Sequence, residues 1–311
     1  MKAKYVNPFT DFGFKKIFGE EASKPLLMDF LNSLLPESNI VELSFKDKEK
    51  FGKSEDDRKA VYDIYCENKN GEKIIVELQK ARQNYFKDRT IYYASFPIQE
   101  QASKGDWNYE MKAIYCVGIL DFKFDEDKLS KGDVIHTVQL KDQNNQVFYN
   151  KLKFVYLEMP HFHKTEAELE TRLDKWLYFI KHLEDFQSIP EVFKDKVFQQ
   201  AFEKAEIANY SLVERSEYEE SLKIYRDYKN TIDSAFDEGK IEGKAEGKAE
   251  GKAEGKIEGK AEGKIEGKIE GKAEGKIEIA IEIAIEMKKL GITTEVISKV
   301  IGLSEDEIDK L

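Results

Sequence analysis

The chain has 311 residues, enough for one large domain or two smaller ones, and a formal net charge of −11. That balance excludes binding to nucleic acid through overall basic charge, while leaving room for a local positive rim around a metal-bearing site. No apolar run approaches the roughly 18 residues of a membrane span, and the Met-Lys-Ala-Lys start is not a signal peptide, so no membrane association and a soluble, cytoplasmic protein are expected.

Asn7 to Gly19, NPFTDFGFKKIFG, opens a helix that Thr10 or Asp11 can cap, with Phe14 and Phe18 on one face. Ser23 caps a second helix with Pro25 in its first turn; Leu26, Leu27, Phe30, Leu31 and Leu34 form its apolar face, and Pro36 ends it. Ile40 to Phe45 alternates as a first strand, and Lys46 to Lys59 reads as a charged loop.

Val61 to Lys80, VYDIYCENKNGEKIIVELQK, is a hairpin. Tyr62, Ile64 and Cys66 alternate with Asp63, Tyr65 and Glu67; Ile74, Val76 and Leu78 alternate with Ile75, Glu77 and Gln79. The turn decides whether the carboxylates meet. A two-residue Asn70-Gly71 loop pairs Lys69 with Glu72 and puts Asp63 and Glu77 on opposite faces. A three-residue loop, Lys69-Asn70-Gly71 with Gly71 left-handed, pairs Asn68 with Glu72 and sets Asp63 opposite Glu77. Only the second register gathers the apolar residues on one side, so burial selects it. Carboxylates directly opposed, with Cβ atoms roughly 5 Å apart, favour a shared divalent cation or a shared proton; a solvated polar face is the plainer alternative.

Ala81 to Lys104 reads as a helix kinked at Pro97, its first half carrying Arg82, Lys87 and Arg89. Lys112 to Asp121 is too apolar for an edge strand and reads as a central one. Val134 to Leu140 and Lys151 to Glu158 add strands, and Glu166 to Glu184 forms an amphipathic helix containing Trp176. Further helices are expected near Glu191 to Ile207 and Val213 to Phe236. Cys66 and Cys116 lie in strand-like runs and read as buried free thiols. His161 and His163 have the spacing of two ligands on one strand face, but no carboxylate cluster accompanies them and a loop at a strand end is expected. Tyr92, Tyr93 and Phe96 are spaced for core packing more than for base stacking.

The order of elements is that of a mixed α/β core. The spacing Asp63 … Glu77-x-Gln79 resembles the metal site of the PD-(D/E)xK nuclease superfamily. Together with TDFGFKKIFG (Thr10–Gly19), MDFLNSLL (Met28–Leu35), RTIYYAS (Arg89–Ser95), LDF (Leu120–Phe122), LEMPHF (Leu157–Phe162) and DKWLYFI (Asp174–Ile180), it makes residues 5 to about 185 similar to the recombination-promoting nuclease and transposase family, a branch of that superfamily common in bacteria. The resemblance implies a PD-(D/E)xK nuclease-like mixed sheet flanked by helices and Mg²⁺-dependent DNA endonuclease activity in recombination or mobile-element biology. It implies that Asp63 and Glu77 bind the metal, that Gln79 stands where the superfamily has Lys, and that Asp11 supplies a further acidic group. A glutamine can orient water but brings no charge, and Lys80 points to the opposite face of the strand. A cation for the phosphate is therefore expected from Arg82, Lys87 or Arg89, which also serve as the expected DNA contacts; for Arg89 an ion pair is equally compatible. The competing class is a catalytically silent nuclease fold acting as a DNA-binding or oligomeric scaffold.

From Gly239 to Glu278 the chain is ten repeats of Gly-Lys-(Ile/Ala)-Glu, extended to Glu286. Ten glycines cost a helix on the order of 10 kcal/mol against alanine, and like charges recur at i,i+4. A solvated linker and a long helix stabilised by homo-oligomerisation are both compatible with this segment. Met287 to Leu311 has Gly291 and Gly302 as helix stops and a Ser304-x-x-Glu307 capping box. The expected organisation is a nuclease-like domain over 1–185, a helical extension over 186–238, the repeat over 239–286 and a small helical protein-contact module over 287–311.

Overall fold

The computed structural model describes residues 3–50, 60–102, 108–124 and 132–311. Its strands are β1 (Leu43–Phe45), β2 (Glu49–Lys50), β3 (Ala60–Val61), β4 (Ile64–Asn68), β5 (Lys73–Gln79), β6 (Ile114–Leu120), β7 (Ile135–Lys141) and β8 (Val147–Glu158). Six of them form one mixed sheet in the order β1-β4-β5-β6-β8-β7; β2 and β3 make a separate two-stranded ribbon. The strands β5, β6 and β8 run parallel, and β1, β4 and β7 lie antiparallel to their neighbours. Most of the expected charged loop, 51–59, lies outside the described residues.

The hairpin adopts the register that burial selects. Ile64 pairs with Val76 and Cys66 with Ile74, the Asn68 N–H donates to Glu72 O at 3.1 Å, and Gly71 is left-handed with φ +79°. The expectation of one apolar and one polar face is corrected. Helices α1 (Asp11–Phe18), α2 (Lys24–Leu34), α4 (Arg172–His182) and α5 (Lys196–Ala205) share a core with Ile64, Cys66, Ile74 and Val76. Helix α3 (Phe86–Glu100) covers the other face, where Tyr65, Ile75, Cys116 and Tyr156 are buried. A hairpin that turns into a parallel crossover becomes interior to the sheet, and such strands are covered on both sides. Every residue of β6 is accordingly buried. Gly118 sits where α3, β6 and β8 converge: a Cβ there would lie 2.9 Å from the Tyr156 ring.

The Thr10 hydroxyl caps α1 by accepting from the Gly13 N–H at 3.0 Å. Helix α3 starts at Phe86, later than Ala81, because Tyr85 is left-handed, with φ +62°. The stretch beyond residue 185 feeds the same core as α1, α2 and α4 through Phe193, Phe198, Phe202 and Tyr218. The Tyr218 hydroxyl accepts from the Asn7 N–H at 3.0 Å. At the end of β8, fully buried Glu158 faces His136 Nε2 at 3.1 Å and His161 Nε2 at 3.3 Å. His161 meets Glu158, while His163 is exposed.

The chain divides into units Met1–Asp233 and Ser234–Leu311. Helix α6 runs Leu212–Lys289, so the repeat is helical, with its glycines in open space and isoleucines such as Ile241, Ile257 and Ile269 exposed. In the second unit α7 (Thr294–Ile301) and α8 (Glu305–Asp309) pack Ile297 and Ile308 against Ala284. Gly291 and Gly302 are left-handed, and Ser304 with Glu307 completes the capping box. Among the described residues no helix is long and apolar enough to cross a membrane.

Candidate active site

Asp63 occupies the bend between β3 and β4, one residue before the ladder begins. Extending the Ile64–Val76 pairing by one step sets it opposite Glu77. Two bonds fix the pair: Asp63 Oδ2 accepts the Leu78 N–H at 2.7 Å, and the Asp63 N–H donates to Glu77 Oε1 at 3.3 Å. Each carboxylate is held by the other strand's backbone, so the pair is a product of the register and not of side-chain choice alone.

The environment disfavours two charges. Burial raises the Asp63 carboxyl above the usual Asp range; the Leu78 N–H and Lys15 oppose this, and Asp11 adds to it. Burial and then the Asp63 charge push Glu77 up to about 8, against the pull of Arg89. The Glu77 side chain is only 14% exposed. Near neutral pH Glu77 therefore keeps its proton unless a cation supplies the compensation.

Arg89 reaches the pair from α3. Its Nη2 lies 3.9 Å from Glu77 Oε2, and its Nη1 donates to Gln83 Oε1 at 2.9 Å and to Gln79 Oε1 at 3.5 Å. The guanidinium lies over the Tyr93 ring, 4.9 Å from the centroid. It can be there because Glu77 and Gln79 both face α3. Gln79 is 8% exposed, and its amide nitrogen donates to Ala81 O at 3.1 Å, so both ends of its side chain are engaged within the chain. Asp11 is exposed and paired with Lys15 at 2.7 Å. Lys87 places its Nζ 5.2 Å from the Phe124 ring centroid, and Arg82 lines the same neighbouring cavity as Lys87. Of the seven residues singled out in the sequence, the fold thus gathers Asp63, Glu77, Gln79 and Arg89, and leaves Asp11, Arg82 and Lys87 around them.

Two lysines, Lys15 and Lys48, escaped the sequence reading, and a third, Lys80, was excluded there by strand alternation. Burial lowers the Lys80 and Lys48 ammonium groups while the charges of Asp11 and Asp63 raise them, so both lie on the Asp63 side of the site; Lys15 acts on the same carboxylates. Alternation excludes Lys80 only while the chain is a strand, and β5 ends at Gln79. The i,i+4 spacing of Asp11 and Lys15 was a usable signal for Lys15; nothing local signals Lys48. Asp121 also lies at this end of the sheet: its N–H donates to Gln79 O at 3.0 Å, and its carboxylate accepts from the Tyr225 hydroxyl at 2.9 Å.

Among the described residues no group of three or more His, Cys, Asp or Glu side chains is arranged to hold a metal. What the chain offers is a two-carboxylate site, and its donor set fits a hard cation that keeps several waters.

An antiparallel hairpin entering a parallel crossover, with an Asp and a Glu opposed at its open end and a helix laid across them, defines a PD-(D/E)xK-like α/β fold. The chain belongs to the PD-(D/E)XK nuclease family transposases, whose family model matches residues 8–235. A nuclease-type function linked to mobile elements follows from that membership. No curated protein and no solved structure matches the chain.

Proposed function

We propose that the protein is a Mg²⁺-dependent DNA endonuclease in recombination or mobile-element biology, with Asp63 and Glu77 as the metal ligands. The observation that carries this reading is the opposed pair itself: two largely buried carboxylates, one held protonated up to about pH 8, at the end of the central hairpin. Such a pair is costly without a cation and well matched to one. When bound, Mg²⁺ lowers the pKa of its water and offsets charge on the scissile phosphate. Asp63, oriented by the Leu78 N–H, and Glu77, which must release its proton, hold the ion. Arg89 brings positive charge to the phosphate, the role that the wider superfamily gives to lysine. Gln79 and Gln83 fix the Arg89 guanidinium, so in this scheme Gln79 positions a cation and not a water. Lys15, Lys48 and Lys80 give an acidic protein a local positive rim, Asp11 tunes that rim, and Arg82 and Lys87 contact the DNA backbone.

The test is conversion of supercoiled plasmid to open circles. Wild type should nick with Mg²⁺ and not with EDTA, and Asp63→Ala should be inactive while folded. Full nicking by Asp63→Ala would remove the proposed site; absence of nicking by wild type would favour a silent nuclease fold that only binds DNA.

A further inference from the structure

The start of α3 carries a feature that metal-dependent hydrolysis does not use. Before and within its first turn the chain forms a cavity of about 480 Å³, within the roughly 300–1,000 Å³ range of small-ligand sites. Its floor is aromatic and rigid. Phe86 meets Phe122 edge-to-face at 5.8 Å, and Phe122 meets Phe124 edge-to-face at 6.1 Å. Each ring holds its neighbour by its edge, so the floor is set before any ligand arrives. Tyr85 is 80% exposed and, among the described residues of the lining, is the aromatic most open to solvent. Among the described residues of the rim, Arg82 and Lys87 bring positive charge and Asp88 a carboxylate, while Gln83 and Asn84 offer amide donors and acceptors.

This lining suits a group that is planar, has a polar edge and is tied to an anion. A nucleotide has all three properties. A base stacked within a duplex has both faces covered, so only an unpaired base can present a face to Tyr85. The cavity also adjoins the carboxylate pair. Phe86 lines both it and the small apolar hollow walled by Glu77, Thr90, Tyr93 and Tyr156. Arg89, beside Glu77, follows one turn later on the same helix.

We infer that the cavity formed by Arg82, Tyr85, Phe86, Lys87, Phe122 and Phe124 binds one unpaired nucleobase of the DNA substrate, stacked on Tyr85. The inference rests on the nuclease reading only in taking DNA as the ligand. Its consequence is substrate choice: the enzyme prefers single-stranded, frayed or flipped DNA beside the cleavage point over continuous duplex.

The test separates the two readings. Oligonucleotides carrying 2-aminopurine, single-stranded or fully paired, are titrated with the full-length protein in Ca²⁺ and read by fluorescence. Wild type should bind the single strand more tightly than the duplex and quench its fluorescence. Tyr85→Asn should weaken single-strand binding by roughly 5- to 150-fold, the range for loss of one base–aromatic stack. Asn tolerates the left-handed backbone at this position, so a folding defect would not explain the loss. Tyr85→Phe keeps the ring and should bind as wild type. Equal affinity for single strand and duplex, no binding of either, or an undiminished affinity in Tyr85→Asn would overturn the inference. Plasmid nicking by wild type, run alongside, reports on the nuclease reading. Nicking with no single-strand preference sinks the pocket alone, and single-strand binding without nicking sinks the nuclease alone.

Discussion

Replacing Glu77 by Gln should stabilise the metal-free protein at alkaline pH. In the folded state the Glu77 carboxyl is pushed up to about 8, first by burial and then by Asp63. In the unfolded chain it titrates near 4.3. Between those values the folded state binds more protons than the unfolded state, so stability falls as pH rises through that window and levels off above it. At 1.36 kcal/mol per unit, the full shift corresponds to at most about 5 kcal/mol. Asp63 is raised as well and adds a term of the same sign. A glutamine amide keeps the shape of the side chain and has no charge to desolvate. The assay is urea denaturation followed by tryptophan fluorescence, in EDTA, from pH 5 to 9, for wild type and Glu77→Gln. The wild-type curve should decline with pH relative to the variant, and the two should diverge by a few kcal/mol by pH 8.5. A wild type that keeps pace with Glu77→Gln across the range would show that the carboxylates are not held together in a poorly solvated site.

Arg89→Ala should lower kcat by roughly 10²- to 10³-fold, the usual loss when one preorganised charge or donor is removed; Arg89→Lys should recover little, because Lys cannot span Gln79, Gln83 and Glu77 as the guanidinium does. Mg²⁺ at about 100 Kd should stabilise the wild type by about 2.7 kcal/mol, and Asp63→Asn, at least as stable as the metal-free wild type, should respond much less in thermal melts. A chain ending at Asp233 should fold and nick as the full chain does, since the core and the site lie within Met1–Asp233; limited proteolysis of the intact protein should cut first within 236–286.

The parts of the site that were legible in the sequence are those fixed by short-range chemistry. Asn70-Gly71 marks the turn, burial of the alternating apolar residues chooses its three-residue form, and that register opposes Asp63 to Glu77. Thr10 and Ser304 declared their helix starts through capping patterns for the same reason. What long-range packing decides was not legible. That Tyr65 and Ile75 are buried depends on α3 crossing over them. That Arg89, rather than Arg82 or Lys87, meets Glu77 depends on where α3 starts, and the left-handed Tyr85 sets that start five residues beyond the apparent beginning. Lys48 arrives from a segment with no local pattern at all.

The repeat is a local pattern of a different kind: it is helical within α6, and its period of four would wind any self-association into a right-handed supercoil. At 100° per residue, a glycine every fourth position advances about 40° around the helix with each repeat. Its small-residue stripe therefore circles the helix within about nine repeats, and no single face of α6 is apolar or glycine-lined throughout.

The pairing of Asp63 and Glu77 as a metal site is tested most directly by calorimetric titration of Mg²⁺ into the protein at pH 7, in buffers of different ionisation enthalpy. Glu77 carries its proton at that pH, so one ion should bind per chain with release of about one proton, and Glu77→Gln should abolish that release along with most of the affinity. Binding of Mg²⁺ without proton release, or equal release from Glu77→Gln, would contradict the assignment.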